Sequence, residues 1–281
     1  MQVSSLASIR REPRPPWALR SLPVLPTAAL QLVSMLEDEE SSIQEITRLL
    51  RQSPPVSAEI LRVANSVHYR RGPRIADIQR AVSTVGLRRA HRLALAFCLR
   101  GLLEPVAQYP VLHTCWETAI STAVLSEALA GAFQIRPGKA YTAGLLHNVG
   151  CLALSAAYPS AYAQMLDLNR THEFSLIESE RSLFDTDHHA VGAWLVDHYG
   201  LPAEFSAVAA EYGDDSLNSR DLVTLVRAGH RLSLLLGLRP DGSTDETKAV
   251  RALIRNLPID DPETALTQVS AAYPYLLEVQ S

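Results

Sequence analysis

Aromatic residues make up only 6% of the 281 positions, and no stretch alternates convincingly between apolar and polar residues. Strands favour aromatic and β-branched residues in alternating runs, so this scarcity speaks against a sheet. Alanine and leucine are common instead, and both favour helices. With 47% hydrophobic and 20% charged residues, the chain has the composition of a globular protein. The predicted fold class is all-α.

Cysteine is also scarce, and long apolar runs are missing. The three cysteines, Cys98, Cys115 and Cys151, are odd in number and lie in or beside apolar runs. This indicates buried free thiols in a reducing compartment, not disulfides or a zinc cluster. The best apolar run, Leu93–Leu99, is far shorter than the roughly 20 residues of a membrane span. Because the first residues also lack the apolar stretch of a signal peptide, we expect a cytoplasmic protein without membrane contact.

The net charge of −4 is unevenly distributed along the chain. Residues 1–100 hold 15 arginines and 8 acidic residues, a balance of +7, whereas the remainder carries −11. A basic half can indicate nucleic-acid binding. Here the basic residues are spread over several predicted helices, without aromatic residues on which bases could stack. We therefore expect no nucleic-acid partner.

Helical periodicity begins after a segment rich in proline and arginine. Residues 1–20 show little periodicity and are predicted to form a flexible tail. From Thr27 onward, short amphipathic segments follow one another. The local signals that start or stop them are the capping box of Ser42 and Glu45, the first-turn Pro54, the N-cap Asp77 and the stop at Gly86.

Two polar clusters interrupt apolar helical segments in the second half, where no phosphate loop, nucleophile elbow or dinucleotide-binding turn occurs. The first is G-L-L-H-N-V-G at residues 144–150, in a helix predicted around Tyr141–Leu152. The second is D-H-H-A-V-G at residues 187–192, capped by Asp187 or Thr186. A lone buried histidine is usually a hydrogen-bonded core residue, but two such clusters make a shared polar pocket as reasonable as two separate core residues.

These segments resemble the HDOD family, which is related to the HD phosphohydrolases. Residues 144–150 are similar to the G-L-L-H-D-I-G signature of the superfamily, and His188 with Gly192 is similar to its later H-x-x-x-G element. The matching segments of the first half are L-P-V-L-P at 22–26, residues 54–66 ending in Asn-Ser, and residues 75–86. The resemblance covers about residues 20–215 in the family's order.

The resemblance implies an organisation of the whole chain. An HDOD domain would span residues 21–215, with an N-terminal helical subdomain at 21–105 packed on an HD-like helical bundle at 106–215. Residues 216–281 would form C-terminal helices that extend this bundle.

The departures from the HD pattern fall on the expected metal site. Catalytic relatives hold divalent metals through histidines and the aspartate of the H-D pair. Asn148 stands at the aspartate position, and an amide is a poorer ligand for a hard cation than a carboxylate. Thr118 stands where a first histidine is common, and no histidine pair occurs near Tyr212. The superfamily's late aspartate falls approximately on His230.

The resemblance therefore implies a relict pocket without catalytic residues, cofactor or resident metal. Its members would be Thr118, His147, Asn148, His188 and His230. If zinc bound at all, its ligands would be His147, His188 and His230. We expect His147 and Asn148 to be at least partly buried and joined to His188 by direct or water-mediated hydrogen bonds, since an unsatisfied buried polar group costs about 1–3 kcal/mol.

HDOD proteins are regarded as regulatory or scaffolding modules, often linked to two-component and cyclic di-GMP signalling. The resemblance implies a non-catalytic module that binds another signalling protein, such as a response regulator or a cyclic di-GMP turnover protein. Two alternatives stay open. One is a metal-dependent phosphohydrolase or phosphodiesterase, and the other is a sensor that binds a nucleotide or small ligand in the old cleft.

The loop after the helix that ends at Asn65 and Ser66 is a candidate partner surface. It carries His68, Tyr69, Arg70 and Arg71, and function often concentrates on such loops. Asn65 and Ser66 themselves are predicted to make helix-end hydrogen bonds. His189 and His198 are predicted to be exposed.

Overall fold

Helices are the regular elements of this protein. The computed structural model describes residues 16–35, 42–69, 72–172, 174–214, 216–236 and 244–280, and no strand occurs among them. The prediction of an all-α fold is confirmed. Within the same ranges, no helix is both long and apolar enough to cross a membrane.

The helices of the first half begin and end at local signals. They are α1 (Thr27–Ser34), α2 (Ile43–Arg51), α3 (Pro54–Ala64), α4 (Ile78–Val85) and α5 (Leu87–Arg100). Ser42 and Glu45 form the predicted capping box at the start of α2. The Asp77 carboxylate accepts a hydrogen bond from the Arg80 amide at the start of α4. Gly86 ends α4 with a φ of +90°, where a side chain would be strained. These predicted signals are confirmed.

The Asn65 side chain holds the chain that leaves α3. Its Nδ2 donates to the carbonyl oxygens of Leu61 and Ile75, and its Oδ1 accepts from the Ile75 amide, each at 2.8 Å. This confirms the predicted helix-end bond. It also ties the end of α3 to a residue ten positions further along, so that the intervening loop has a fixed base.

Helix α6 (His113–Leu129) lies at the centre of the second half and packs against α7, α13 and α15. Two glycines allow close approach to it. A Cβ at Gly144 would lie 2.7 Å from the Ala123 Cα, and one at Gly229 would lie 2.5 Å from the Ser126 Oγ. The other helices are α7 (Pro137–Leu146), α8 (Val149–Ala157), α9 (Pro159–His172), α10 (Leu176–Phe184), α11 (His188–His198), α12 (Ala203–Glu211), α13 (Leu222–Leu236), α14 (Thr244–Arg255) and α15 (Pro262–Gln280).

The N-terminal residues of the described chain contact the second half. Residues 17–21 form a 3-10 helix, Trp17 packs against Tyr158 at a ring distance of 5.2 Å, and Ala18 is fully buried. The Tyr158 hydroxyl donates to the Ala18 carbonyl at 2.9 Å. The predicted flexible tail of residues 1–20 is therefore too long at its C-terminal end, because Trp17 and Ala18 are packed. Residues 1–15 lie outside the described residues.

Two further differences from the sequence prediction concern helix boundaries. The helix predicted around Tyr141–Leu152 is two helices, α7 and α8, with His147 and Asn148 at the turn between them. Helices α9 and α10 lie where no helix was predicted. Helix α9 buries Tyr162 and Met165 but leaves Leu168 55% exposed, so its apolar residues do not mark one clean face.

Candidate functional site

His147 lies at the turn between α7 and α8 and is fully buried. Its Nδ1 is 2.5 Å from the carbonyl oxygen of Gly144 and donates to it, because a carbonyl oxygen can only accept. Its Nε2 has no hydrogen-bond partner among the described residues. Burial, reinforced by the nearby His230, holds the pKa of His147 well below its usual range. The imidazole is therefore neutral at physiological pH, with a lone pair on Nε2.

Asn148 uses both ends of its amide. Its Nδ2 donates to the Cys115 carbonyl of α6 at 3.0 Å, and its Oδ1 accepts from the Tyr212 hydroxyl at 3.3 Å. A carboxylate at this position would place negative charge against the Cys115 carbonyl oxygen. The amide is thus the group that fits these two neighbours.

Tyr212, at the end of α12, stands among four imidazoles. Its ring centroid lies 4.4 Å from that of His189, 4.5 Å from His147, 5.1 Å from His230 and 6.0 Å from His188. The residue is buried, and burial raises the pKa of its phenol well above the usual value. In the sequence, Tyr212 was notable only because the HD superfamily commonly has a histidine pair nearby. Its position among the four imidazoles was not predicted.

His188 begins α11 and is paired with a buried carboxylate. Glu180 of α10 is fully buried, and its Oε2 accepts from both the backbone amide of His188, at 2.9 Å, and its Nδ1, at 2.5 Å. The Tyr162 hydroxyl of α9 donates to the other carboxylate oxygen. Glu180 was not predicted, because nothing in the local pattern of α10 distinguishes a buried glutamate from an exposed one.

The elements that carry His147 and His188 meet through two glycines. A Cβ at Gly150 of α8 would overlap the His188 carbonyl oxygen and lie 2.7 Å from the Gly192 amide nitrogen. A Cβ at Gly192 would lie 3.2 Å from the Ala209 Cβ. These contacts explain why both motifs include glycine, and they bring the two predicted polar clusters into one pocket.

We predicted direct or water-mediated hydrogen bonds between His147, Asn148 and His188. No direct hydrogen bond joins these three side chains in the described part of the chain, and the water-mediated alternative stays a prediction. Each side chain bonds instead to a group outside that set: Gly144, Cys115 with Tyr212, and Glu180. Tyr212 connects them through ring contacts and its bond to Asn148. The two polar clusters thus lie on either side of Tyr212, which was not among the predicted pocket residues.

The other predicted residues differ in their relation to this pocket. The ring centroid of His230, on α13, lies 5.2 Å from that of His147, and burial lowers the pKa of His230 to about 4. Thr118 is half-buried on α6, and its side chain makes no hydrogen bond or ring contact within the described residues. His189, predicted to be exposed, is half-buried and donates from Nδ1 to the Ala209 carbonyl at 3.1 Å. His198 is exposed as predicted and stacks on Trp194.

The candidate partner loop lies on the N-terminal half. His68 is exposed, and the Arg89 guanidinium lies 5.1 Å from the centre of the Tyr69 ring. Val67, which precedes them, is 97% exposed. Arg70 and Arg71 lie outside the described residues.

The pocket residues as they stand do not fit a resident metal. The Tyr212 ring occupies the space between the imidazoles, and its hydroxyl donates to the one oxygen that Asn148 offers. The buried Glu180 carboxylate is engaged by Tyr162 and His188. In the part of the chain that the structure describes, no three His, Cys, Asp or Glu side chains are grouped to hold a metal ion.

A family model described as the HDOD domain matches residues 22–214. A curated Treponema pallidum protein without assigned function is 26% identical over 190 residues, which are 64% of this chain and 35% of that protein. The chain thus spans about a third of the relative's length.

Two solved structures have the same fold. One is a Shewanella amazonensis protein provisionally named a phosphohydrolase, with a TM-score of 0.71 and 20% identity over 94% of this chain and 97% of that one. The other is a Marinobacter aquaeolei protein provisionally named a signal transduction protein, with a TM-score of 0.67 and 21% identity over 93% of this chain and 59% of that one. At these identities the likeness concerns the fold alone.

Proposed function

The chain belongs to the HDOD family, and on that premise we propose that it is a non-catalytic regulatory module of bacterial signal transduction that binds another signalling protein. The observation that carries the proposal is the filled pocket. Where the HD phosphohydrolases keep an open site for metal and water, the Tyr212 ring packs against three imidazoles and the Asn148 amide is held at both ends.

The partner we propose is a response regulator or a cyclic di-GMP turnover protein that presents an acidic surface. The first hundred residues carry a balance of +7. Val67 and His68 are exposed on a loop whose base is fixed by Asn65, beside the Arg89–Tyr69 pair. An exposed apolar residue beside an arginine, on the half of the chain with the positive balance, suits an acidic partner with an apolar contact at its centre.

Hydrolysis assays test the catalytic half of the proposal. Purified protein is incubated with bis-p-nitrophenyl phosphate or cyclic di-GMP in the presence of manganese, zinc or iron. We expect no turnover from the unmodified protein, and none from Asn148→Asp, because the Tyr212 ring still fills the pocket in that variant. Metal-dependent turnover that His147→Ala abolishes would show that the protein is a phosphohydrolase.

Cross-linking in cells, followed by reconstitution with purified partners, tests the binding half. We expect a signalling protein to be captured by the unmodified chain and lost with Val67→Asp. The matched control is Val24→Asp, which places the same charge at another exposed valine (77% exposed) and should leave capture unchanged. Equal loss in both variants, or no binding in the purified system, would contradict the proposed surface.

A further inference from the structure

Two of the three cysteines lie side by side in the core of the second half. Cys115 of α6 and Cys151 of α8 are both free and buried. Their Sγ atoms lie 2.6 Å apart, and the Cys151 thiol donates to the Cys115 sulfur. The two residues are 36 positions apart in the sequence, so it is the packing of α8 against α6 that brings the thiols together.

This cysteine pair adjoins polar groups on both helices. The Cys115 sulfur lies 3.7 Å from the Ser155 hydroxyl, and the Cys151 sulfur lies 3.3 Å from the Tyr162 hydroxyl. A buried cysteine that serves only packing behaves as a small apolar side chain and needs no such neighbours. The third cysteine, Cys98 of α5, is buried as well, but within the described residues its thiol makes no hydrogen bond.

Hydrogen bonds connect the cysteine pair to the pocket from two sides. The Tyr162 hydroxyl donates to the Glu180 carboxylate, which in turn accepts from the amide and Nδ1 of His188. On the other side, the Asn148 amide donates to the Cys115 carbonyl oxygen at 3.0 Å. A change in the bonding of either sulfur therefore acts on groups that hold His188 and Asn148 in place.

We propose that Cys115 and Cys151 are a reversible dithiol–disulfide pair, which links α6 to α8 beside the pocket when it is oxidised. The two sulfur atoms are already in contact, and a disulfide needs them to approach by only about half an ångström more. In cells that keep most thiols reduced, such bonds are usually transient and respond to the redox state. The pair would give the protein a chemical input that the proposed binding function does not include.

The oxidant we propose is a peroxide. One sulfur, as a thiolate, attacks a peroxide oxygen, the oxygen–oxygen bond breaks, and the sulfur becomes a sulfenic acid as water leaves. The second sulfur attacks the sulfenic sulfur, and the hydroxyl group leaves as a second water. The two thiols thus lose two protons and two electrons, and hydrogen peroxide becomes two water molecules. A small dithiol reverses the reaction by thiol–disulfide exchange.

Oxidation should be slow in the closed native structure. The hydrogen bond with Cys115, together with burial, raises the pKa of the Cys151 thiol well above its usual value. Because the thiolate is the reactive species, the reaction should follow local opening of α8. The pair should therefore respond to sustained oxidation and not to a brief exposure.

Thiol counting tests the pair in the full chain. The reduced protein is exposed to hydrogen peroxide, unfolded, treated with iodoacetamide and analysed by mass spectrometry with peptide mapping. We expect two of the three cysteines to be protected from alkylation, a bond between the Cys115 and Cys151 peptides, and return of all three thiols after dithiothreitol. Because the bond closes a loop of 36 residues, the oxidised form should melt about 5 °C or more above the reduced form.

Alanine variants provide the controls. Cys98→Ala should still form the disulfide, whereas Cys115→Ala and Cys151→Ala should not. If either of the last two fails to fold, the serine variant at the same position replaces it, and peptide mapping of the unmodified protein stands without them. Three free thiols after prolonged peroxide exposure, both in buffer and in urea below the unfolding transition, would overturn the inference. A disulfide that joins Cys98 to either partner would overturn it too.

Nuclear magnetic resonance tests whether the bond reaches the pocket. We expect the side-chain amide signals of Asn148 and the imidazole signals of His188 to shift on oxidation and to return on reduction, in the unmodified protein and in Cys98→Ala alike. A pair of cysteines that only fills space would leave these signals where they are. Unchanged signals in a protein that has formed the disulfide would therefore overturn the proposed link to the pocket.

Discussion

The two halves of the molecule bury polar side chains very differently. Among the described residues up to 106, the buried polar side chains are Thr47 and His91, and the His91 ring is bonded to the Leu32 carbonyl. In the second half the buried polar residues are Ser121, Thr122, Ser126, Thr142, His147, Asn148, Ser155, Glu180, Thr186, Asp187, His188, Thr224, Arg227 and Ser233. Buried polar groups lower stability unless they are hydrogen-bonded, so the stability of the second half depends more strongly on polar pairing in its core than that of the first half.

The two halves also differ in how closely their glycines are packed. Added Cβ atoms at Gly72, Gly86 and Gly101 of the first half would meet nothing within 4 Å, whereas those at Gly144 and Gly150 would meet backbone atoms. The second half also has a turn glycine in open space, Gly200, but it differs from the first half in that some of its glycines bring helices together around the pocket. Local capping and turn residues thus determine the helix boundaries of the first half, whereas contacts between distant segments determine how the helices of the second half are arranged.

The largest expected effect comes from the helix contact beneath the pocket. Gly150→Ala should destabilise the protein by about 4 kcal/mol, because the new methyl group overlaps the His188 carbonyl and the adjacent backbone. The gain in helix propensity, about 1 kcal/mol, does not offset this overlap. Urea denaturation measures the change. Gly72→Ala, in open space in the first half, should change stability by less than about 0.5 kcal/mol. Similar effects at the two sites would remove the contrast between the halves.

The buried Glu180 should rank next. Glu180→Gln replaces one carboxylate oxygen with an NH2 group that cannot accept a hydrogen bond and removes the negative charge. Either the two His188 donors or the Tyr162 hydroxyl then lose their acceptor, which should cost about 3 kcal/mol. Glu178→Gln, on the exposed side of the same helix, should cost less than about 1 kcal/mol. Thermal unfolding of both variants gives the comparison. A small effect at Glu180 would mean that the pocket tolerates loss of its carboxylate.

A change in the first half should act locally. Asn65→Ala removes three hydrogen bonds at the base of the loop and should cost about 2 kcal/mol. Hydrogen exchange of the Ile75 amide should accelerate, while amides of α6 should exchange as before. Ser66→Ala provides the neighbouring control, with an expected change below about 0.5 kcal/mol. Faster exchange throughout the molecule would show that the loop is coupled to the second half.

The smallest expected effect is a dependence of stability on pH. Burial lowers the pKa of His230 to about 4, below its ordinary value of 6.5, so the unfolded chain takes up a proton before the folded one does. Stability is present above pH 6.5 and falls as the pH approaches 4, by about 1.5 kcal/mol between pH 6.5 and 5 for this residue. His230→Phe keeps a ring and should flatten the profile by that amount. His147, His189 and His91, whose pKa values are also lowered, should retain the remaining slope in both proteins. If stability depended on pH equally in His230→Phe and the unmodified protein, His230 would not be the source of this effect.

Much of the first half could be predicted, because its boundaries depend on neighbours in sequence. The capping box of Ser42 and Glu45 and the N-cap Asp77 act within a few residues, and Asn65 was correctly expected at a helix end. The family motifs also implied a common pocket for His147, Asn148 and His188. The bonds within that pocket could not be predicted, since Cys115, Glu180 and Tyr212 reach it from other helices.

The sequence by itself determined the helical class, the order of most helices and the presence of an amide, not a carboxylate, at position 148, because propensity, capping and residue identity are local properties. Only the tertiary structure decided which groups surround that asparagine. Tyr212 gives no local signal, and it becomes the centre of the pocket because α12 and α13 bring it and His230 beside the turn that carries His147. A side chain's chemical role depends on which groups surround it, and packing between distant segments sets those surroundings.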